Sequence, residues 1–172
     1  DNAGVESAKT AGEEAINAVT VATPAKQAAK DALDKAAETK KAEIASNSKL
    51  TAEEKAEETR KVEEALTSAK QEVEKATTNA AVASAKTAGK EAINAVTTET
   101  PAKQAAKEKL AQAAETKKQT ITADNTLTEE EKTAAKNAVD RELRTASDAV
   151  DAATDNAGVE SAKTAGEEAI NA

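Results

Sequence analysis

Residues 62–76 read VEEALTSAKQEVEKA and residues 139–153 read VDRELRTASDAVDAA. Val62, Leu66, Ala69, Val73 and Ala76 recur at spacings of 4-3-4-3, and so do Val139, Leu143, Ala146, Val150 and Ala153. Apolar residues alternating at three and four positions lie on one stripe of an α-helix, the seam along which helices pack. Almost everything between them is polar or charged, so each stretch is a helix with one face to bury. Such a helix is not stable alone and must pack against others. Leu66 and Leu143 are the largest side chains on the two seams. Truncating either to Ala is expected to cost roughly 2–4 kcal/mol.

Punctuation on both sides of the seam sets the element boundaries. Ahead of it, Thr51-Ala52-Glu53-Glu54 is a capping box in which Thr51 and Glu54 satisfy each other's free backbone N–H groups. Thr128 and Glu131 repeat it. Behind it, Thr77-Thr78-Asn79 is a short break rich in capping residues. A third helix follows with Val82, Ala85, Gly89, Ile93 and Val96 on its stripe. Further upstream, Thr23-Pro24 opens a helix, with Thr23 as N-cap and Pro24 at the first helical position. Its stripe is Ala25, Ala29, Leu33, Ala36, Lys40 and Ile44, and it stops in Ser46-Asn47-Ser48. The matching stop is Asp124-Asn125-Thr126. Asp31 with Lys35, Glu57 with Lys61 and Asp140 with Arg144 are spaced to pair along exposed helix faces.

The two seams are 77 positions apart, and that offset holds throughout the chain without a gap. Residues 1–77 and 78–154 share 43 identities, and residues 1–18 are identical to 155–172. The chain is therefore a tandem array spanning two periods and the start of a third. Each period carries three helices joined by short connections, which makes neighbours antiparallel. The expected fold is all-α: tandem three-helix bundles stacked end to end as an elongated rod. Pro disfavours helical geometry in the residue before it, so Thr23 and Thr100 are expected to be extended or kinked. Boundaries between units favour such places. The expected units are a leftover C-terminal helix of a preceding repeat at 1–22, a bundle at 23–98 and a bundle at 99–172.

Composition narrows the function classes. The 172 residues hold 45 Ala but only 21 Val, Ile and Leu, so the core is thin and offers little depth for a pocket. There is no His, Cys, Met, Trp, Tyr or Phe, which removes thiolate and imidazole metal sites and disulfides. A formal charge of -8 argues against nucleic acid, which selects a basic stripe. No apolar run approaches the roughly 20 residues that span a bilayer. The chain opens mid-pattern at Asp1, as a piece excised from something larger would.

Three groups of residues invite a functional reading. The acidic pairs Glu13-Glu14, Glu53-Glu54, Glu57-Glu58 and Glu63-Glu64 could suggest a metal or acid–base site. Sequence neighbours diverge by about 100° on a helix, so these read as solvated faces. Lys40 and Lys117 lie on an apolar stripe. A lysine there more often lays its stem on the core and sends its ammonium to water than acts as a nucleophile. Gly12, Gly89 and Gly166 lie on a helix stripe, where Gly costs about 1 kcal/mol against Ala. Close helix approach, or a notch for an opposing Leu or Ile, would explain them. No catalytic, cofactor-binding or metal-ligating residue is assigned, and no cofactor is implied.

The strings Leu50-Thr51-Ala52-Glu53-Glu54-Lys55 and Ala76-Thr77-Thr78-Asn79-Ala80-Ala81-Val82, with Gly89 and Ala92-Ile93, resemble a known repeat. They are similar to the helical repeats of unknown function, of the domain of unknown function 1542 type, found in Gram-positive wall-anchored surface proteins. Those resemble in layout the FIVAR and albumin-binding GA three-helix modules. The resemblance covers the whole chain and implies secretion, attachment to the cell wall and a stalk, adhesin or biofilm role. It carries over no functional residue.

The expected function is a non-catalytic spacer that projects a distal domain from the cell wall. Its expected partners are neighbouring repeats of the same chain, with a host or bacterial surface protein as a possible further partner. There is no membrane insertion and no nucleic acid. The alternative is a protein-binding module of the albumin-binding kind. Interface hot spots favour Trp, Tyr and Arg, and only Arg60, Arg141 and Arg144 are available. A disordered desiccation protectant would share the Ala, Lys, Glu and Thr bias, but fixed heptad seams argue against it.

Overall fold

The computed structural model describes residues 2–19, 24–98 and 101–172. Among these are seven α-helices and no strand: α1 (Asn2–Asn17), α2 (Ala25–Ser46), α3 (Ala52–Lys75), α4 (Asn79–Asn94), α5 (Ala102–Ala123), α6 (Glu129–Ala152) and α7 (Asn156–Asn171). Helices α2, α3 and α4 pack on one another, and α5, α6 and α7 do the same. The expected kinks at Thr23 and Thr100 lie outside the described residues.

The helix ends follow from local chemistry. Thr51 and Glu54 form the capping box at the start of α3, and Thr128 and Glu131 form it at the start of α6. Thr78 accepts from the Ala81 N–H to open α4, and Asp155 accepts from the Gly158 N–H to open α7. The stops after α2 and α5 are side-chain turns. Asn47 Oδ1 accepts from the Lys49 N–H at 3.0 Å, and Asp124 Oδ1 from the Thr126 N–H at 2.8 Å. Pro24 and Pro101 differ from the sequence expectation by one position. Each is itself the N-cap, with an extended ψ near 140° (138° and 144°), and each carbonyl accepts the first helical bond. Proline has no side-chain acceptor, so these starts lack a side-chain cap.

Each core is a single file of side chains down the middle of three helices. In the first, Ala29, Leu33, Ala37 and Ile44 meet Val62, Ala69 and Val73 from α3, and Val82 and Ile93 from α4. The second repeats this with Ala106, Leu110, Ala114, Ile121, Val139, Ala146, Val150, Val159 and Ile170. Three details correct the sequence reading. Ala25, expected on the stripe, is exposed, because it sits at the first turn of α2. Ala37 is fully buried where Ala36 was expected, and Ala36 is only partly covered. Leu66 and Leu143 are partly buried, whereas Leu33 and Leu110 are wholly inaccessible to solvent. Ala69 and Ala146, not the flanking leucines, face Gly89 and Gly166 of the third helix. The truncation cost assigned to Leu66 and Leu143 therefore passes to Leu33 and Leu110.

Surface pairing also differs in part. Glu57 does approach Lys61, at 3.6 Å, but bonds Arg60 more closely. Asp140 pairs with Lys118 of α5 rather than along its own helix, and Asp31 accepts from Gln27. Such exposed pairs contribute little each.

Candidate functional site

Among the described residues no group of three or more His, Cys, Asp or Glu could hold a metal ion. No described helix is long and apolar enough to cross a membrane. An open groove lies between α3 and α4, floored by Ala65, Ala69, Ala85, Gly89 and Ala92. It arises because small residues let these helices approach closely. Glu72 and Lys75 at its rim are exposed.

The acidic pairs read as solvated faces need two corrections, at Glu58 and at Glu53-Glu54, whose carboxylates both accept bonds from the other bundle. Glu13-Glu14 and Glu63-Glu64 are exposed. Glu57 faces solvent beside Arg60, whose guanidinium holds its carboxyl below the usual range. Glu58, one step round the helix, is buried instead. It lines a small cleft with Ile44, Leu50, Val96 and Pro101, so the segment leaving α4 helps to cover it. Its counterpart one period later is Ala135, so this burial is not a repeated feature.

Lys40 and Lys117 are half-buried. Lys40 Nζ donates to the Asn94 carbonyl at 3.1 Å and Lys117 Nζ to the Asn171 carbonyl at 2.7 Å. Each thus caps the C-terminal end of the third helix of its bundle, where carbonyls lack intrahelical partners and the dipole favours a cation.

Gly89 and Gly166 are steric. A Cβ on Gly89 would stand 2.5 Å from Ala69 Cβ and 2.8 Å from Leu33 Cδ2. At Gly166 it would meet Ala146 Cβ and stand 2.8 Å from Leu110 Cδ2. At Gly12 nothing lies within 4 Å.

The densest polar constellation is where the two bundles meet. Glu54 Oε2 accepts from the Thr51 N–H at 2.9 Å within its capping box, while Oε1 accepts from the Ala102 N–H at the start of α5, at 2.7 Å. Glu53 accepts from the Asn156 N–H at the start of α7, at 3.1 Å. Two adjacent carboxylates therefore face the positive ends of three helices, α3, α5 and α7. The buried Thr51 hydroxyl donates to Asn156 Oδ1 at 2.7 Å, and the Ala52 N–H donates to the Thr154 carbonyl at 2.9 Å. Lys103, also buried, donates to the Asp151 carbonyl of its own bundle at 2.8 Å and to the Ser48 carbonyl of the other at 3.1 Å. Lys103 and the second role of Glu54 are absent from the sequence reading. The available signal was that Thr51, Glu53, Glu54, Lys103 and Asn156 all recur one period away, although 56–61 and 133–138 share no residue.

Elsewhere carboxylates are held below their usual pKa by exposed partners: Glu74 by Lys30, Asp124 by Thr126 and Glu131 by the Thr128 N–H. Lys163 is raised by Glu160. Groups of the first kind, Glu57 included, contribute stability present above the unfolded carboxylate pKa and lost as pH falls through the depressed folded value. Lys163 contributes stability that is lost at the alkaline end. With no His or Cys, the thermal midpoint should be nearly flat from about pH 6 to 9 and fall below about pH 4.5. A midpoint that rises on acidification, followed by circular dichroism, would contradict this.

No curated protein and no solved structure matches this chain. The family described as Domain of Unknown Function (DUF1542) does match, twice in succession, over residues 25–101 and 102–172. Those two matches begin one period apart and together take in helices α2 to α7. The chain belongs to the DUF1542 family and carries two of its repeats in tandem.

Proposed function

We propose that this chain is a non-catalytic spacer, a length of stalk from a repeat-containing protein of a Gram-positive cell wall. It acts outside the cell and holds a distal adhesive domain away from its anchor. Its working units are bundles at 23–98 and 99–172 stacked end to end. Residues 1–22 belong to the preceding repeat, with α1 as its last helix, since α1 has the sequence of α7. The observation that carries this reading is the hydrogen-bonded contact between the α2–α3 end of one bundle and the α5 and α6–α7 end of the next.

The test is a distance across the junction. Ser68 and Thr145 are exposed and occupy the same repeat position. Spin labels on cysteines placed there should report one narrow distribution near 40 Å, one bundle length at about 1.5 Å per residue. A mean below about 25 Å would mean bundles lying side by side. Titration with serum albumin addresses the rival reading; micromolar or tighter binding would favour a ligand-binding module over a spacer.

A further inference from the structure

We infer that the polar junction is a docking face repeated along the array, and that its uncovered halves at the two ends of this chain each take another copy of the same repeat. The inference rests on the spacer reading and names the surface by which spacers couple.

Among the described residues each half exists twice, once covered and once open. At the covered junction Thr51 and Leu50 are buried; one period later Thr128 is exposed and Leu127 half-buried. Glu54 accepts from both Thr51 and Ala102, while Glu131 accepts from the matching Thr128 N–H at 2.8 Å. Lys103 bonds carbonyls on both sides of the junction. Lys26, its counterpart, donates to the Glu74 carbonyl, which matches Asp151, inside its own bundle. The inward bond is therefore made in both copies, and it holds the lysine in place before a neighbour arrives.

The occupant follows from identity and charge. The α6 end of the second bundle presents Glu129, Glu130 and Glu131. The start of the first presents Lys26 and the positive ends of α2 and α4. These are the same chemistries that meet at the junction, so a further repeat docks head to tail. The two faces differ, so the contact is heterologous and propagates instead of closing into a dimer.

Paired substitutions at equivalent positions test this in the full chain, read by the 68–145 label distance. Glu54→Gln with Lys103→Met removes two of the junction's charges and leaves Glu53, while Gln can still cap its helix. The distance distribution should at least double in width. Glu131→Gln with Lys26→Met makes the same changes at the open ends and should leave the width unaltered. In a chain lengthened by repeating residues 96–172 after Ala172, Glu131 becomes a junction residue. There Glu131→Gln should broaden the distance across the new junction, read between labels at 145 and its next-period equivalent. An unchanged width in the first variant, equal broadening in both pairs, or a silent Glu131→Gln in the lengthened chain would each overturn the inference. A wild-type distribution that is already broad would count against the spacer reading instead.

Discussion

Leu33→Ala and Leu110→Ala should each destabilise the affected bundle by roughly 3–5 kcal/mol, the upper part of the range for buried leucines. Both leucines are wholly inaccessible and sit at the centre of the three-helix contact. Ala29, Ala37 and Ala69 share the first core with Leu33, and Ala106, Ala114 and Ala146 the second with Leu110, and alanine side chains cannot rotate or extend into the space left behind. A cavity that cannot collapse carries the full penalty. Net stabilities of small domains are about 5–15 kcal/mol, so the loss is a large part of the whole. Leu66→Ala and Leu143→Ala remove the same atoms from the rim and should cost less than half as much. Denaturant unfolding of the four variants decides; equal losses at all four positions would mean that partial exposure does not govern the cost.

Gly89→Ala should be destabilising by about 2–3 kcal/mol even though alanine is the better helix former. The new methyl would lie 2.5 Å from Ala69 Cβ, an atom fixed to the α3 backbone. Leu33 could swing its Cδ2 away, but Ala69 has no such freedom, so α3 and α4 must part. Separating them loosens the packing of Val62, Val73, Val82 and Ile93. Gly166→Ala should behave alike against Ala146. Gly12→Ala offers the control: the surrounding sequence is that of Gly166, yet nothing lies near its Cβ. That change should raise the helicity of α1 with no loss of stability. A stabilising Gly89→Ala would show that the helices have room the structure does not display.

Much of the architecture was legible because it rests on short-range rules. The 4-3-4-3 spacing of Val62 to Ala76, the Thr51–Glu54 box and the 77-residue offset need only the chain itself, and they point to an all-α tandem repeat. What was lost depends on neighbours. Ala36 and Ala37 are the same residue on adjacent sides of a stripe, and a helix of 3.6 residues per turn drifts across a seam of 3.5. Only the position of the facing helices says which is buried. Glu57 and Glu58 are likewise indistinguishable until the segment after α4 crosses one of them.

The junction posed a different difficulty. Lys26 and Lys103 have nearly identical local sequences, as do the capping boxes of Glu54 and Glu131. No local rule says that one member of each pair is covered and the other open. The same holds for α1 and α7, identical in sequence. Val159 and Ile170 are buried at 3% and 1%, while Val5 and Ile16 are exposed at 68% and 72%. Burial at the junction depends on the neighbouring repeat, and burial of α7 on α5 and α6 of its own bundle.

That the chain acts by length is tested most directly by small-angle X-ray scattering of the intact 172 residues. Two bundles of about 36 Å in series, with a further helix, should give a maximum dimension of roughly 80–100 Å. The radius of gyration should be well above the roughly 16 Å of a compact chain of this length. A maximum dimension below about 60 Å, with a radius of gyration near the compact value, would contradict the account.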